Sequence, residues 1–154
     1  MSLSLRTDGE TNVIITRTFK APPELVWRAH TEPALLQRWC TGPDGWSMPV
    51  CISDPRPGGK MRYEWVKDGA GFHLTGEFVS LTPYSRIEHV ERMHLPDPTP
   101  DNHVVTEFTA FDGGTRLVMT MTLPDAATRA AMLATGMEHG MEDSYRRLEH
   151  VLAD

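Results

Sequence analysis

Residues 133–152, LATGMEHGMEDSYRRLEHVL, decide the fold class, because their apolar side chains recur at the three- to four-residue spacing of an α-helix. The apolar positions of this stretch are Leu133, Met137, Met141, Tyr145, Leu148 and Leu152. The positions directed towards the opposite face are Glu138, Glu142, Arg146 and Glu149. We therefore predict one long amphipathic helix from near Asp125 to near Ala153, which at about 1.5 Å per residue spans roughly 40 Å.

The chain in front of this helix consists mainly of strand and turn patterns. The predicted strands are Asn12–Phe19, Ser47–Ser53, Lys60–Val66, Phe72–Leu81, Arg86–His94, His103–Phe111 and Thr115–Leu123. Two short helices, Pro23–His30 and Pro33–Trp39, follow the first strand, each with proline in its first turn. No helical crossover separates the later strands, so an antiparallel meander is favoured over parallel βαβ units. We predict an α+β fold in which a curved antiparallel sheet of about six to seven strands wraps around the long C-terminal helix.

Composition and charge narrow the class of protein. The 154 residues include only 2 Cys and are 40% hydrophobic, which suits a single domain over residues 1–154, with a core from about 12 to 152. Asp and Glu number 21 against 15 Lys and Arg, and this acidic balance disfavours nucleic acid as a partner. No apolar run approaches the roughly 20 residues of a membrane span, and the first residues lack the apolar core of a secretory signal. We therefore expect a cytoplasmic protein with no membrane span.

Several short motifs occur in the order in which a known family carries them. They are Ala21–Trp27, Thr31–Pro33, Trp39, Gly42–Trp46, Asp54–Gly59, Gly76–Phe78 and Gly136–Met141. Over about residues 13–152 the chain resembles the START-like, helix-grip superfamily, also called SRPBCC or Bet v 1-like. Within that superfamily it is similar to the activator of heat-shock-chaperone ATPase homologue 1-like group, of the C-terminal domain type, which is grouped with polyketide cyclase and lipid-transport domains. The resemblance implies a sheet that grips a long C-terminal helix, with a cavity between them.

Such a cavity would be lined by the apolar faces of the strands and by the inner face of the helix. The predicted lining residues are Trp39, Trp46, Met48, Tyr63, Trp65, Phe78, Phe108, Leu117, Met119, Met121, Met137, Met141 and Tyr145. The same residues could instead form an ordinary core, because aromatic and methionine side chains fill irregular apolar space in either role. Gly136 and Gly140, four residues apart in the predicted helix, indicate close packing or room for a ligand.

Two polar residues, His89 and Glu91, share the strand parity of apolar neighbours and are predicted to face the cavity as ligand-binding residues. They are also candidate catalytic residues, since a histidine beside a carboxylate suits general acid/base chemistry. The alternative places both on the solvated face of the sheet. His73 and Glu77, on the preceding strand, have the parity of polar neighbours and are the weaker candidates.

Other kinds of site find no support in the motifs. The sequence has no HExxH motif and no closely spaced carboxylate cluster, so we expect no metal and no cofactor. Cys40 and Cys51 form no CxxC pair and have no identified base, which leaves two reduced, partly buried thiols. No GxSxG motif is present for a serine nucleophile.

Three functions therefore remain. The first is binding of a small apolar or amphipathic molecule in the cavity. The second is a cyclase-like or hydrolytic reaction that uses the His/Glu pair. The third, implied by the resemblance, is a chaperone partner whose ATPase the domain would activate, although the residues before Asn12 leave no room for the extra amino-terminal domain of the eukaryotic cochaperone. A homodimer is a further possibility if a strand edge near Val13 or Thr115 is exposed.

Overall fold

A computed structural model describes residues 2–153 and contains one open antiparallel sheet and four helices. The strands are β1 Ser4–Asp8, β2 Asn12–Phe19, β3 Ser47–Ser53, β4 Lys60–Lys67, β5 Ala70–Thr82, β6 Arg86–His94, β7 Asn102–Phe111 and β8 Gly114–Thr122. The helices are α1 Pro23–Ala29, α2 Pro33–Trp39, α3 Ala126–Leu133 and α4 Met137–Ala153. The strand order is β1-β2-β8-β7-β6-β5-β4-β3, so the chain returns to β2 with its last strand. The predicted α+β helix-grip fold is confirmed.

The sheet has eight strands instead of six to seven, because Ser4–Asp8 pairs with β2. This short segment is mostly exposed and has no apolar alternation, so its sequence carries no strand pattern. It also changes which strands lie at the edges. The prediction of a free edge near Val13 or Thr115 is wrong, because β2 and β8 both lie inside the sheet, whose edges are β1 and β3.

The predicted continuous C-terminal helix is interrupted. Asp125 caps α3 by accepting a hydrogen bond from the Thr128 amide at 2.7 Å. Gly136 then adopts φ +72°, a left-handed conformation that interrupts the helix before α4 begins at Met137. The apolar spacing continues across this break, which is why the sequence pattern suggested one helix.

Helix α4 lies over the half of the sheet that contains β2. Arg17 points from the inner face of β2 towards α4, where its side chain is 1% exposed and forms ion pairs with Glu142 and Glu149. The prediction that Glu142 lies on the helix's polar outer face is therefore wrong. Close by, the Phe19 and Tyr145 rings meet edge to face with their centroids 5.4 Å apart.

The two short helices complete the layer on the inner face of the sheet. Trp39, at the end of α2, donates from its indole nitrogen to the Ala29 carbonyl at 2.9 Å and stacks on Tyr145 of α4 at 5.9 Å. Val26 and Ala29 of α1 are fully buried in the same layer. Within residues 2–153, no helix is both long enough and apolar enough to cross a membrane.

Candidate functional site

The inner face of β6 carries a polar pair in an otherwise apolar layer. His89 and Glu91 lie on this face because they alternate with outward-facing residues along the strand. The His89 Nε2 atom lies 2.6 Å from the Glu91 Oε1 atom, and the two side chains are 11% and 20% exposed. An ionised carboxylate only accepts hydrogen bonds, so Nε2 carries the proton in this contact and donates it.

The second ring nitrogen of His89 has no protein partner. Its Nδ1 atom is buried, and no hydrogen-bonding group of the described chain reaches it. In the neutral ring, whose proton is held at Nε2, Nδ1 has a lone pair and can only accept. The neighbouring ring is Phe78, whose centroid lies 6.4 Å from that of His89.

A further imidazole enters the same layer from the end of α1. The Nδ1 atom of His30 donates to the Val26 carbonyl at 2.7 Å, while its Nε2 atom is buried without a protein partner. The ring packs against Trp39 and Phe108, at centroid distances of 4.9 and 5.2 Å. Burial lowers the pKa of His30 from 6.5 to about 4; the Val26 hydrogen bond opposes this effect, and the nearby His89 imidazole adds to it. His30 is therefore neutral at physiological pH.

Asn102 extends the polar patch onto β7. It pairs directly across the sheet with Glu91, so the two side chains lie on the same face. Asn102 is 8% exposed, and its Oδ1 atom is buried without a protein partner. In the described chain, the buried side-chain nitrogen and oxygen atoms that lack a partner are His30 Nε2, His89 Nδ1 and Asn102 Oδ1. Glu91 and Asn102 are cross-strand neighbours beside His89, whereas His30 lies farther along β7, against Phe108, about 20 Å from Asn102. We call His30, His89, Glu91 and Asn102 the inner polar patch.

The neighbouring groups on β3, on β4 and just after α2 are ionisable but neutral. Burial raises the pKa of Cys40 to about 12 and that of Cys51 to about 11. Burial is the main cause that raises the pKa of Tyr63 well above its usual value, and the nearby thiols and Glu91 add to this effect. Neither thiol is thus a ready nucleophile at neutral pH.

The comparisons with known proteins agree with this architecture. A family model described as "Activator of Hsp90 ATPase homolog 1-like protein" matches residues 20–153. The chain belongs to this family. A crystal structure of a Rhodobacter sphaeroides protein superposes with a TM-score of 0.94 at 31% identity and covers 99% of each chain. A Nitrosomonas europaea crystal structure superposes with a TM-score of 0.82 at 26% identity, over 96% of this chain and 97% of that one. A comparison with curated protein sequences gave no significant match.

The predicted lining residues of this family member fall into a buried group and a half-buried group. The buried ones are Trp39, Met48, Tyr63, Phe78, Phe108, Leu117, Met121 and Tyr145, and His89 joins them. The half-buried ones are Trp46, Trp65, Met119, Met137 and Met141, together with Glu91. Trp46 and Trp65 pack on Phe72 at 5.3 and 5.2 Å, and Trp65 joins this group to the core through Tyr63 at 5.9 Å.

The weaker candidates, His73 and Glu77, lie on the outer face of the sheet, as their strand parity indicates. His73 stacks on His94 with the ring centroids 4.2 Å apart, and Glu77 pairs with Lys60 in an exposed contact. Sequence reasoning missed His30 and Asn102. Asn102 could have been found, because it has the parity of the buried Val104 on the same strand, whereas a single histidine at the end of a short helix gives no comparable signal.

Two clefts, each of about 360 Å³, open at the surface of the family member, one between the end of β2 and helix α4 and the other along strands β3, β4 and β5. One is lined by Arg17, Lys20, Arg146, Glu149 and His150. The other is lined by Pro49, Arg62, Glu64, Trp65, Val66, Gly71, Phe72 and His73. In residues 2–153, no three His, Cys, Asp or Glu side chains are grouped so that they could hold a metal ion. The inner polar patch is the candidate site, because it holds the buried polar atoms of the described chain that lack a protein partner.

Proposed function

We propose that this family member binds a small apolar or amphipathic molecule between the inner face of its sheet and helices α1, α2 and α4. The observation that carries the proposal is the His89–Glu91 pair, in which the buried Nδ1 atom of His89 has no protein partner. A buried polar atom without a partner costs about 1 to 3 kcal/mol, so a chain selected for stability alone would gain by replacing it. A ligand that satisfies this atom explains why the patch is polar.

The surroundings of the patch suit the apolar part of such a ligand. Phe78 lies next to His89, and Val104 and Met121 lie across the sheet from it, each at most 7% exposed. These side chains pack closely, so entry of a ligand requires the helical layer to move. Gly136 joins the exposed helix α3 to α4, and the half-buried Met137 begins α4, so we expect this junction to open.

Native mass spectrometry of the protein purified from its own cells tests this proposal. We expect the wild type to carry a small molecule and the His89→Leu variant to lose it, because leucine keeps the volume and removes the polar anchor. His139→Leu is the matched control, since His139 is exposed on α4, and it should keep the molecule. A wild type that carries no molecule, or a His89→Leu variant that retains it fully, would contradict the proposal. The same spectra report the subunit count and so test for a homodimer.

A second candidate function is general acid/base catalysis, which the 2.6 Å contact between His89 and Glu91 favours. Glu91 would orient the imidazole, and Nδ1 would accept a proton from the substrate. If so, a Glu91→Gln variant should accumulate unreacted substrate, which differs from the molecule held by the wild type in mass after a hydrolysis and in chromatographic retention after an isomerising cyclisation. A molecule identical in mass and in retention in the two proteins would argue against catalysis.

The family description favours a third candidate, activation of a chaperone ATPase. The measurement is the steady-state ATPase rate of an Hsp90-type chaperone with and without this chain. An increased rate would support this role, and an unchanged rate at saturating concentration would remove it. All three candidates treat residues 1–154 as one domain that works in the cytoplasm, as the composition indicates.

A further inference from the structure

We infer that the polar end of the bound molecule is a hydrogen-bond donor, such as an alcohol or an amine, and that it is not an anion. The inference rests on the proposed function and specifies the chemical class of the ligand. It follows from which atoms of the inner polar patch donate hydrogen bonds and which accept them, because the protein contacts fix these roles.

His30 offers an acceptor to the interior. A carbonyl oxygen cannot donate, so the 2.7 Å contact with the Val26 oxygen places the ring proton on Nδ1. The buried Nε2 atom then has a lone pair and no protein donor near it. Only a group that carries a proton can satisfy this atom.

His89 and Asn102 present the same chemistry. Glu91 holds the His89 proton on Nε2, which leaves Nδ1 as an acceptor in the neutral ring. The amide oxygen of Asn102 is a third buried acceptor without a protein partner. Glu91 itself adds a carboxylate beside them. A ligand head placed against any one of these atoms therefore meets a lone pair, and beside His89 it also meets the negative charge of Glu91.

An anionic head would find no compensation there. Arg17 is a buried cation of the inner face, but its guanidinium already pairs with Glu142 and Glu149 on α4. A carboxylate or phosphate placed against the three partnerless acceptors would lose its hydration without gaining a hydrogen bond from them. The same argument disfavours lipids that enter with a charged phosphate or a free fatty acid head.

Three probes of one shape test this inference: naphthalene, naphthol and naphthoate, titrated into the intact protein at about pH 7.5 with calorimetric detection. We expect naphthol to bind about tenfold more tightly than naphthalene, which corresponds to one hydrogen bond to a buried acceptor. Naphthoate should bind at least tenfold more weakly than naphthol. Equal affinities of naphthol and naphthalene would show that water alone satisfies the acceptors and would overturn the inference.

The remaining outcomes separate this inference from the proposed function. Naphthoate binding as tightly as naphthol would overturn the donor requirement and leave ligand binding intact. Failure of all three probes to bind would count against the proposed function itself. In the expected case, addition of naphthol shifts the side-chain nitrogen resonance of His30 Nε2, whereas naphthoate leaves it unchanged.

Substitutions in the inner polar patch test which residues cause the preference for naphthol over naphthalene. His89→Leu should reduce the naphthol preference over naphthalene severalfold, and His89→Gln should restore part of it, because glutamine can donate to Glu91 and still offer an oxygen. His139→Leu should leave the preference unchanged. If His89→Leu does not fold, His30→Phe makes the same test from the opposite side of the patch. An undiminished preference in a folded variant of either histidine would contradict the assignment.

Discussion

The Arg17 guanidinium on β2 lies 3.3 Å from the Glu142 carboxylate on α4, and this buried ion pair fastens the last helix to the sheet. Glu142 also accepts from the Leu3 amide at 2.7 Å, which ties the first residues to the same point. Removal of one partner of a buried pair leaves an uncompensated charge. We therefore expect Arg17→Met to lower the free energy of unfolding by about 3 kcal/mol, measured by chemical denaturation.

An exposed ion pair supplies the control for this prediction. Arg28 and Glu32 lie one turn apart at 2.6 Å, with both side chains more than 40% exposed. Arg28→Met should leave the unfolding free energy nearly unchanged, because water and salt screen such a pair. If Arg17→Met were as harmless as Arg28→Met, the proposed attachment of α4 through Arg17 would be wrong.

Buried His30 makes stability depend on pH. Its pKa is lowered by burial from 6.5 to about 4, so the unfolded chain takes up a proton in this range before the folded protein does. The contribution of neutral His30 to the free energy of unfolding is fully present above pH 6.5. It is lost as the pH falls towards about 4, by up to ~1.4 kcal/mol per pH unit. The free energy of unfolding, measured by denaturation at a series of pH values, should therefore fall more steeply with decreasing pH for the wild type than for His30→Phe in this window. Parallel curves would show that His30 is protonated as easily in the folded protein as in water.

The left-handed glycine between α3 and α4 gives a prediction about the backbone. A Cβ at Gly136 would make only an ordinary contact, with the His139 ring at 3.8 Å, so the cost of a side chain there comes from φ +72°. We expect Gly136→Ala to destabilise the protein by about 1 kcal/mol, and Gly136→Asn by less, because asparagine tolerates this conformation. Thermal unfolding of the two variants gives the comparison, and an equal loss in both would point to a cause other than backbone strain.

The two thiols should be unreactive in the folded protein. Burial raises the pKa of Cys40 to about 12 and that of Cys51 to about 11, so the nucleophilic thiolate is scarce at about pH 8. A chromogenic disulfide reagent should react slowly with the native protein and should titrate both cysteines after unfolding in guanidinium chloride. Rapid reaction of either thiol in the native state would contradict this description of the interior.

Apart from β1, the strands were predictable because their buried and exposed residues alternate, as in β7, where each of the first seven residues follows its parity. The break in the last helix was not, since the apolar spacing continues across Gly136 and only the backbone angle reveals the interruption. Glu142 was misplaced for a different reason. Its partner Arg17 lies 125 residues away, and helical periodicity carries no information about such a contact.

The candidate site was predictable in part, because the two faces of a strand alternate along the sequence. Strand parity directed His89 and Glu91 to the inner face, where they form the hydrogen-bonded pair. His30 and Asn102 became visible only when packing showed which of their atoms lack a partner. Whether the aromatic and methionine side chains line a cavity or fill a core depends on packing at the scale of single methyl groups, which a sequence pattern does not specify.

The most direct test of the central claim is a titration of the wild-type protein with naphthol, followed by two-dimensional NMR of the backbone amides. If the ligand binds at the inner polar patch, the largest shift changes should occur at His30, His89 and Phe108, which face the interior. Changes confined to Lys20 and Arg146 would place the ligand in a surface cleft. That result, or a spectrum that does not change at all, would contradict the account.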